Sequence, residues 1–190
     1  LEERDVPMLC MVSRLADQKG FDVLACAMEQ IMSNDVQFVI LGTGEEHYED
    51  MFRYYESRWK GRFCSCIMFD NTLAQKIYAS GDMFLMPSRF EPCGLGQMFS
   101  LRYGTVPIVR KTGGLADTVE HFDPETEKGN GFLFEDYDST GLLWAIEEAL
   151  NVYYTPKKWR ILVKNSMSTC LSWKDSAYKY IQLYNEILNK

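Results

Sequence analysis

Residues 7–44 read PMLCMVSRLADQKGFDVLACAMEQIMSNDVQFVILGTG. Two short apolar runs, 7–12 and 36–41, stand on either side of a segment in which apolar residues recur at helical spacing from Phe21 to Met32. Apolar runs without alternation are typical of strands that are buried on both faces of a parallel sheet. The stretch therefore predicts a strand, a crossover helix and a second strand that runs parallel to the first.

The same alternation continues along the chain. Helical segments are predicted at 45–60 and 73–79, and further strands at 63–69, 83–86, 106–109 and 131–134. From Ser139 onward the pattern is helical, with Pro156 in a first turn and 173–188 as the last helix. Strict alternation predicts an α/β fold, a Rossmann-like parallel sheet with helices on both faces. Because 46% of the 190 residues are hydrophobic, we expect one core and a single domain over 1–190, with 156–190 as its closing C-terminal helices.

Composition excludes several classes of protein. The net charge of -7 repels nucleic acid and anionic membranes, so we expect neither as a partner. No apolar run approaches the roughly 20 residues that cross a bilayer. The six cysteines form no C-x-x-C pair and have no histidine at zinc-ligand spacing, so we expect reduced thiols in a cytoplasmic protein and no metal. The charged opening, LEERD, predicts a cut inside a longer protein.

Charged residues and glycines gather where the predicted strands end. Arg14 and Lys19 follow the first strand, Gly44 follows the second, and Phe69 ends the third. The densest group, residues 91–97 (EPCGLGQ), follows the fourth. In open parallel sheets, ligands bind beyond the carboxyl ends of the strands, which meet at one edge. We therefore expect these residues to form one site.

The residue types at this edge suit a phosphate ligand. Arg14 offers a planar fork and Lys19 a point charge, a combination that suits a diphosphate. Gly94 and Gly96 predict a helix that opens with free N–H groups, with Glu91 nearby as an acceptor. The alternatives are two solvated loop cations and a glycine-rich loop with a solvated carboxylate, and the residues alone leave both open.

The second strand ends in an incomplete glycine motif. Gly42 and Gly44 supply two of the three glycines of a dinucleotide fingerprint, but Glu45 and Glu46 follow at the start of the predicted helix. Two carboxylates there compete with phosphate for the helix N-terminus. A tight turn that lets the backbone approach a ligand is predicted, and a nicotinamide-binding domain is disfavoured.

Three long motifs resemble those of one family. Residues 13–20 (SRLADQKG), 87–95 (PSRFEPCGL) and 102–119 (RYGTVPIVRKTGGLADTV) are similar to segments of bacterial glycogen synthases and plant starch synthases. The resemblance spans nearly the whole chain. It implies the C-terminal nucleotide-binding half of a GT-B fold, in which two Rossmann-like domains face each other across a cleft, and an N-terminal domain that this sequence does not contain.

The resemblance also implies an activity. Members of this family are retaining glucosyltransferases, and the implied reaction moves glucose from ADP-glucose to the non-reducing end of an α-1,4-glucan, with UDP-glucose as the less favoured donor. Arg14 and Lys19 would hold the diphosphate and stabilise the leaving nucleotide, and Glu91 would be the catalytic carboxylate beside the donor glucose. No metal or other cofactor is implied. The glucan would bind through the N-terminal domain, so we expect the isolated chain to be inactive, and the location to be the cytoplasm, or the plastid stroma in a plant.

Further contacts with the nucleotide sugar are implied for Cys93, Gly94, Leu95, Gly96 and Gln97, the last two over the phosphates, and for Phe69 against the base. Many members have threonine in place of Gly96 and tyrosine in place of Phe69, so two hydroxyl groups are missing here. Phe99 stands where the wider GT-B group often has a second glutamate, which favours the glycogen and starch synthase branch. A non-catalytic nucleotide-binding or interaction module of the same fold remains the alternative.

Overall fold

A computed structural model describes residues 1–189. Among them, six strands form one sheet in which all neighbouring strands are parallel. The strands are β1 (Met8–Val12), β2 (Gln37–Gly42), β3 (Phe63–Ile67), β4 (Met83–Met86), β5 (Val106–Arg110) and β6 (Phe132–Phe134). Their order across the sheet is β3-β2-β1-β4-β5-β6, the strand order of a Rossmann fold. The predicted fold class is confirmed.

Eight α-helices connect and follow these strands within the described residues. They are α1 (Phe21–Ser33), α2 (Glu46–Arg58), α3 (Asn71–Ser80), α4 (Gly96–Tyr103), α5 (Gly113–Thr118), α6 (Ser139–Tyr153), α7 (Pro156–Ser168) and α8 (Trp173–Leu188). Helix α5 was not predicted, because it has six residues and begins with two glycines, which are poor helix formers. No described helix is both long and apolar enough to cross a membrane.

The core lies on both faces of the sheet, as the apolar runs predict. Leu9 and Met11 of β1 face the larger cluster, which α1, α2 and α6 cover, whereas Cys10 faces a smaller cluster under α3. Strand β3 ends two residues earlier than predicted, since Ile67 pairs with the last residue of β2 and no partner lies beyond it. Phe69 consequently leaves the sheet and is 83% exposed.

The two C-terminal helices differ in their packing. Leu162 of α7 is fully buried, whereas every described side chain of α8 is exposed. Helix α7 therefore covers the core and α8 does not. The predicted range of closing helices, 156–190, includes Lys190, which lies outside the described residues, and the single-domain boundary stays a prediction.

Strand β1 lies at the centre of the sheet and pairs with both β2 and β4. The chain runs outward from β1 to β3 on one side and from β4 to β6 on the other, so the strand order reverses between β1 and β4. Loops that leave neighbouring strands in opposite directions open a crevice, which is the common ligand site of this fold. Residues 13–20 and 87–95 form the two walls of that crevice.

Candidate functional site

The two walls are joined by backbone contacts. Gly20 has a positive φ of 77°, and a Cβ atom there would lie 1.9 Å from the carbonyl oxygen of Pro87. The Arg89 N–H donates to the Gln18 carbonyl at 2.9 Å, and the Gln18 amide donates to the Phe90 carbonyl at 3.1 Å. Only glycine fits this approach, and the result is that the turn after β1 presses against the loop after β4.

Lys19 and Glu91 meet across that contact. The Lys19 Nζ lies 2.6 Å from the Glu91 Oε2, and the two side chains are only 16% and 10% exposed. The Ser88 hydroxyl lies 3.4 Å from the same oxygen. A charged group with so little contact with water is stable mainly when an opposite charge lies beside it. Lys19, which was expected to bind phosphate, is thus paired with Glu91, which was expected to bind the sugar.

Arg14 differs from Lys19 in that its side chain has no partner in the described part of the chain. Its side chain is exposed, and its guanidinium makes no hydrogen bond or ion pair with any of residues 1–189. An unpaired guanidinium offers its full set of donors to an anion. Arg14 is therefore the available cation of the crevice.

A cavity of about 200 Å³ fills the crevice. The predicted site residues that line it are Arg14, Lys19, Glu91, Gly94, Leu95 and Gly96. Helix α4 begins at Gly96, and no side chain caps its N-terminus. Because the first N–H groups of a helix have no intrahelical partner, this end of α4 presents donors beside the cavity.

A second cavity, of about 220 Å³, lies beside the first and shares Val12, Ser13 and Arg14 with it. Its walls are largely apolar and include Leu41, Met68 and Phe69. An exposed aromatic ring at an apolar slot can stack on a flat ligand. Arg14 therefore lies where a charged cavity and an aromatic cavity join.

Gly44 lies between β2 and α2, at the predicted junction, and packs against the loop after β1. A Cβ atom there would lie 2.1 Å from the Leu15 carbonyl oxygen, and the Gly44 N–H lies 3.2 Å from the Glu49 carboxylate. The close approach that requires glycine is thus between two loops of the chain. Gly44 lines neither cavity, whereas Gly42 lines the second.

Cys93 and Gln97 also lie outside both cavities. The Cys93 side chain is exposed, and its thiol lies 3.6 Å from the Gly94 carbonyl. The Gln97 side chain is fully buried and bonded to the protein, so it does not face a ligand. Any contact of Gln97 with a ligand therefore falls to its backbone groups.

Two sets of contacts that support the site were not predicted from the sequence. Gly113 and Gly114 begin α5, and Cβ atoms there would lie 2.2 Å from the Glu91 carbonyl oxygen and 2.0 Å from that of Cys93. The adjacent glycines after β5 were the available signal. Separately, Asp22 accepts a hydrogen bond from Tyr137 at 2.6 Å and lies 3.1 Å from the Arg89 guanidinium.

The contacts of Asp22 with Arg89 and Tyr137 lower the pKa of the Asp22 carboxyl. Partial burial favours the neutral acid, but the hydrogen bonds from Tyr137 and Arg89 outweigh it and hold the pKa of Asp22 below its usual value. The Arg89 guanidinium also lies over the Tyr137 ring, 5.0 Å from its centroid. These contacts hold the loop between Pro87 and Glu91 against α1.

Within residues 1–189, one group of three possible metal ligands lies close together, namely Asp17, Glu45 and His47. All three are exposed, and the Asp17 carboxylate already accepts a hydrogen bond from the Tyr48 hydroxyl at 2.6 Å. Exposed acidic groups of this kind are common without a metal, and we assign none to them.

Comparison with known proteins places this geometry in a family. Residues 1–165 match the family described as glycosyl transferases group 1. A glycogen synthase of Kosmotoga olearia is 55% identical over 185 residues, and one of Thermosipho africanus is 54% identical over 190 residues. These matches cover 97% and 100% of this chain but 39% of each relative, so the chain spans about two-fifths of their length.

A solved structure gives the same result. The catalytic domain of starch synthase IV from Arabidopsis thaliana, bound to ADP and acarbose, matches with a TM-score of 0.88 and 37% sequence identity. The match covers 99% of this chain and 40% of that one. The three relatives named above are glycogen and starch synthases, and the chain belongs to the glycosyl transferases group 1 family.

Proposed function

We propose that this chain is the donor-binding domain of a retaining glucosyltransferase that transfers glucose from ADP-glucose to the non-reducing end of an α-1,4-glucan. The observation that carries the proposal is the joining of the two cavities at Arg14. The names of the relatives, and the ADP bound to the starch synthase neighbour, support it.

A nucleotide sugar has three parts, namely a base, a diphosphate and a sugar, and the two cavities with the junction between them offer a place for each. We place the base in the second cavity against Phe69, and the diphosphate at Arg14 and the start of α4. The glucose then falls in the first cavity beside Glu91. Lys19 and Ser88 both contact Oε2 of that carboxylate, whereas Oε1 accepts no hydrogen bond from residues 1–189 and is left for the sugar.

The proposed role of each site residue follows from the charges that develop during glucose transfer. When the bond between glucose and diphosphate breaks, negative charge grows on the diphosphate and positive charge on the sugar ring. Arg14 and the α4 N-terminus meet the first charge, and Glu91, oriented by Lys19, meets the second. The Glu91 carboxylate and the α4 backbone are already held in place and need little reorganisation as the charge develops, and Arg14 adds a full positive charge, so we propose that the reaction needs no metal.

We further propose that the glucan acceptor binds to an N-terminal domain, with which this chain forms a cleft. Closure of such a cleft excludes water and completes the sugar site. By itself, this chain would bind ADP weakly and transfer no glucose. The five cysteines from Cys10 to Cys93 form no disulfide within residues 1–189, which supports a reducing, cytoplasmic location.

Calorimetric titration of this chain with ADP tests the proposal, with Arg14→Ala as the main variant. Losing a charge-assisted contact should weaken ADP binding about tenfold or more. Arg53→Ala is the matched control, since Arg53 forms exposed ion pairs within α2 and lines neither cavity. Equal affinity in wild type and Arg14→Ala, or no heat with the wild type, would refute the proposed site.

A further inference from the structure

The loop of residues 91–95, here called the sugar loop, is held by a buried side chain that touches no ligand cavity. Gln97 lies in the first turn of α4 and is fully buried. Its Nε2 lies 3.1 Å from the Cys93 carbonyl oxygen and 3.0 Å from that of Gly94. It also lies 3.2 Å from the Thr118 hydroxyl oxygen. One amide group therefore reaches two carbonyls of the sugar loop and one residue of α5.

The direction of these hydrogen bonds is fixed by their acceptors. Carbonyl oxygens cannot donate, so the Gln97 amide must present its N–H groups to Cys93 and Gly94. The Thr118 hydroxyl donates to the Gly114 carbonyl at 2.6 Å, so its oxygen is an acceptor that shares one of the two Gln97 N–H groups with a loop carbonyl. The chain of bonds thus runs from α4 through Thr118 to the start of α5.

Helix α5 holds the opposite side of the loop. The Gly114 N–H donates to the Glu91 carbonyl at 3.0 Å, and the Cα atoms of Gly113 and Gly114 pack directly on the loop backbone. The carbonyls of Glu91, Cys93 and Gly94 are thus all bonded to protein. Gly94 and Leu95 line the first cavity from this fixed backbone.

The oxygen of the Gln97 amide shows that the residue does more than stabilise the fold. The Gln97 Oε1 is buried and has no hydrogen-bond partner within residues 1–189. An unsatisfied buried carbonyl is costly, and an apolar side chain of similar length would not have that cost. The unpaired Oε1 of Gln97 is therefore not explained by stability. The N–H groups of the same amide have a different use, because they bind the sugar loop.

We propose that Gln97 is a positioning residue, whose buried amide fixes the sugar loop so that its backbone groups and the Glu91 carboxylate face the donor glucose. The assignment of the first cavity to glucose rests on the proposed function. Gln97 itself contacts no substrate and acts through the loop.

Gln97→Met tests this inference, because it keeps the length of the side chain and removes both N–H groups. Ser100→Ala is the matched control, since Ser100 is likewise fully buried in α4 but its hydroxyl bonds to the Gln97 backbone carbonyl and not to the loop.

The first readout is the mobility of the loop backbone, measured by ¹⁵N relaxation. We expect order parameters near 0.85 for Cys93, Gly94 and Leu95 in the wild type and in the control, and below about 0.6 in Gln97→Met, with the rest of the sheet unchanged. Unchanged order parameters in a folded Gln97→Met would overturn the inference whatever the ligand of the cavity is.

The second readout compares two ligands by calorimetry. Gln97→Met should weaken ADP-glucose binding at least about tenfold, while ADP binding changes less than about threefold. Equal losses for both ligands would contradict a role at the sugar. If wild-type protein binds neither ligand, the proposed function fails, and the order parameters still decide whether Gln97 holds the loop.

Discussion

Replacing Lys19 with methionine would leave the Glu91 carboxylate nearly buried without its cation. The two side chains are 16% and 10% exposed and their charged atoms are 2.6 Å apart. Removing one partner of a buried pair costs about 3–5 kcal/mol, and because some exposure remains we expect a loss near 3 kcal/mol in the free energy of unfolding. Urea unfolding at pH 7, followed by circular dichroism, measures it.

A double-mutant cycle separates the pair from other effects of the substitution. Glu91→Gln in the Lys19→Met background removes the stranded charge, so the double variant should be more stable than the sum of the single losses predicts, by about 2 kcal/mol. A coupling energy near zero would refute the claim that Lys19 stabilises and orients Glu91.

The chain offers a matched control for burial. Lys111 lies 2.6 Å from Glu135, the same separation, but these side chains are 53% and 74% exposed. Exposed pairs contribute at most about 1 kcal/mol, so Lys111→Met should have little effect. If Lys19→Met lowers the free energy of unfolding by no more than Lys111→Met does, burial does not set the strength of the pair between Lys19 and Glu91.

Three further perturbations test other parts of the account. Phe69→Ala should weaken ADP binding about tenfold, since base stacking contributes about 1–3 kcal/mol, without changing the melting temperature of a chain in which that ring is 83% exposed. Gly114→Ala should lower the melting temperature far more than Gly141→Ala, because the new Cβ lies 2.0 Å from the Cys93 carbonyl oxygen in the first and 3.1 Å from its nearest neighbour in the second. Burial and the neighbouring thiol raise the pKa of Cys66 to about 11, which lowers its thiolate fraction. Iodoacetamide at pH 8 should therefore label exposed Cys93 well before Cys66, and the Cys66 rate should rise about tenfold per pH unit up to pH 10, as peptide mass spectrometry would show.

The sheet was predictable because each strand carries its own signal. The runs at 7–12 and 36–41 are apolar on both faces, and parallel strands must be buried on both. The same reasoning brought Arg14, Lys19 and Glu91 to one edge, because the carboxyl ends of parallel strands meet there. Which of the two cations pairs with Glu91 depends on the turn at Gly20, which no periodicity reveals.

The supporting residues of the site were harder to predict. Gly44 is required by a contact with Leu15, and a glycine chosen for a ligand looks the same in sequence. Gln97 reads as polar and ligand-facing, yet it is buried because α5, too short to give a helical pattern, covers it. Long-range packing of short elements is what the sequence pattern does not contain.

We propose that Arg14 and the start of α4 hold a diphosphate at the point where the strand order reverses. A crystal structure of this chain with ADP would show whether they do. We expect both phosphates within hydrogen-bond distance of the Arg14 guanidinium and the Gly96 N–H, with the base against Phe69. ADP bound elsewhere, or phosphates that leave Arg14 in solvent, would contradict it.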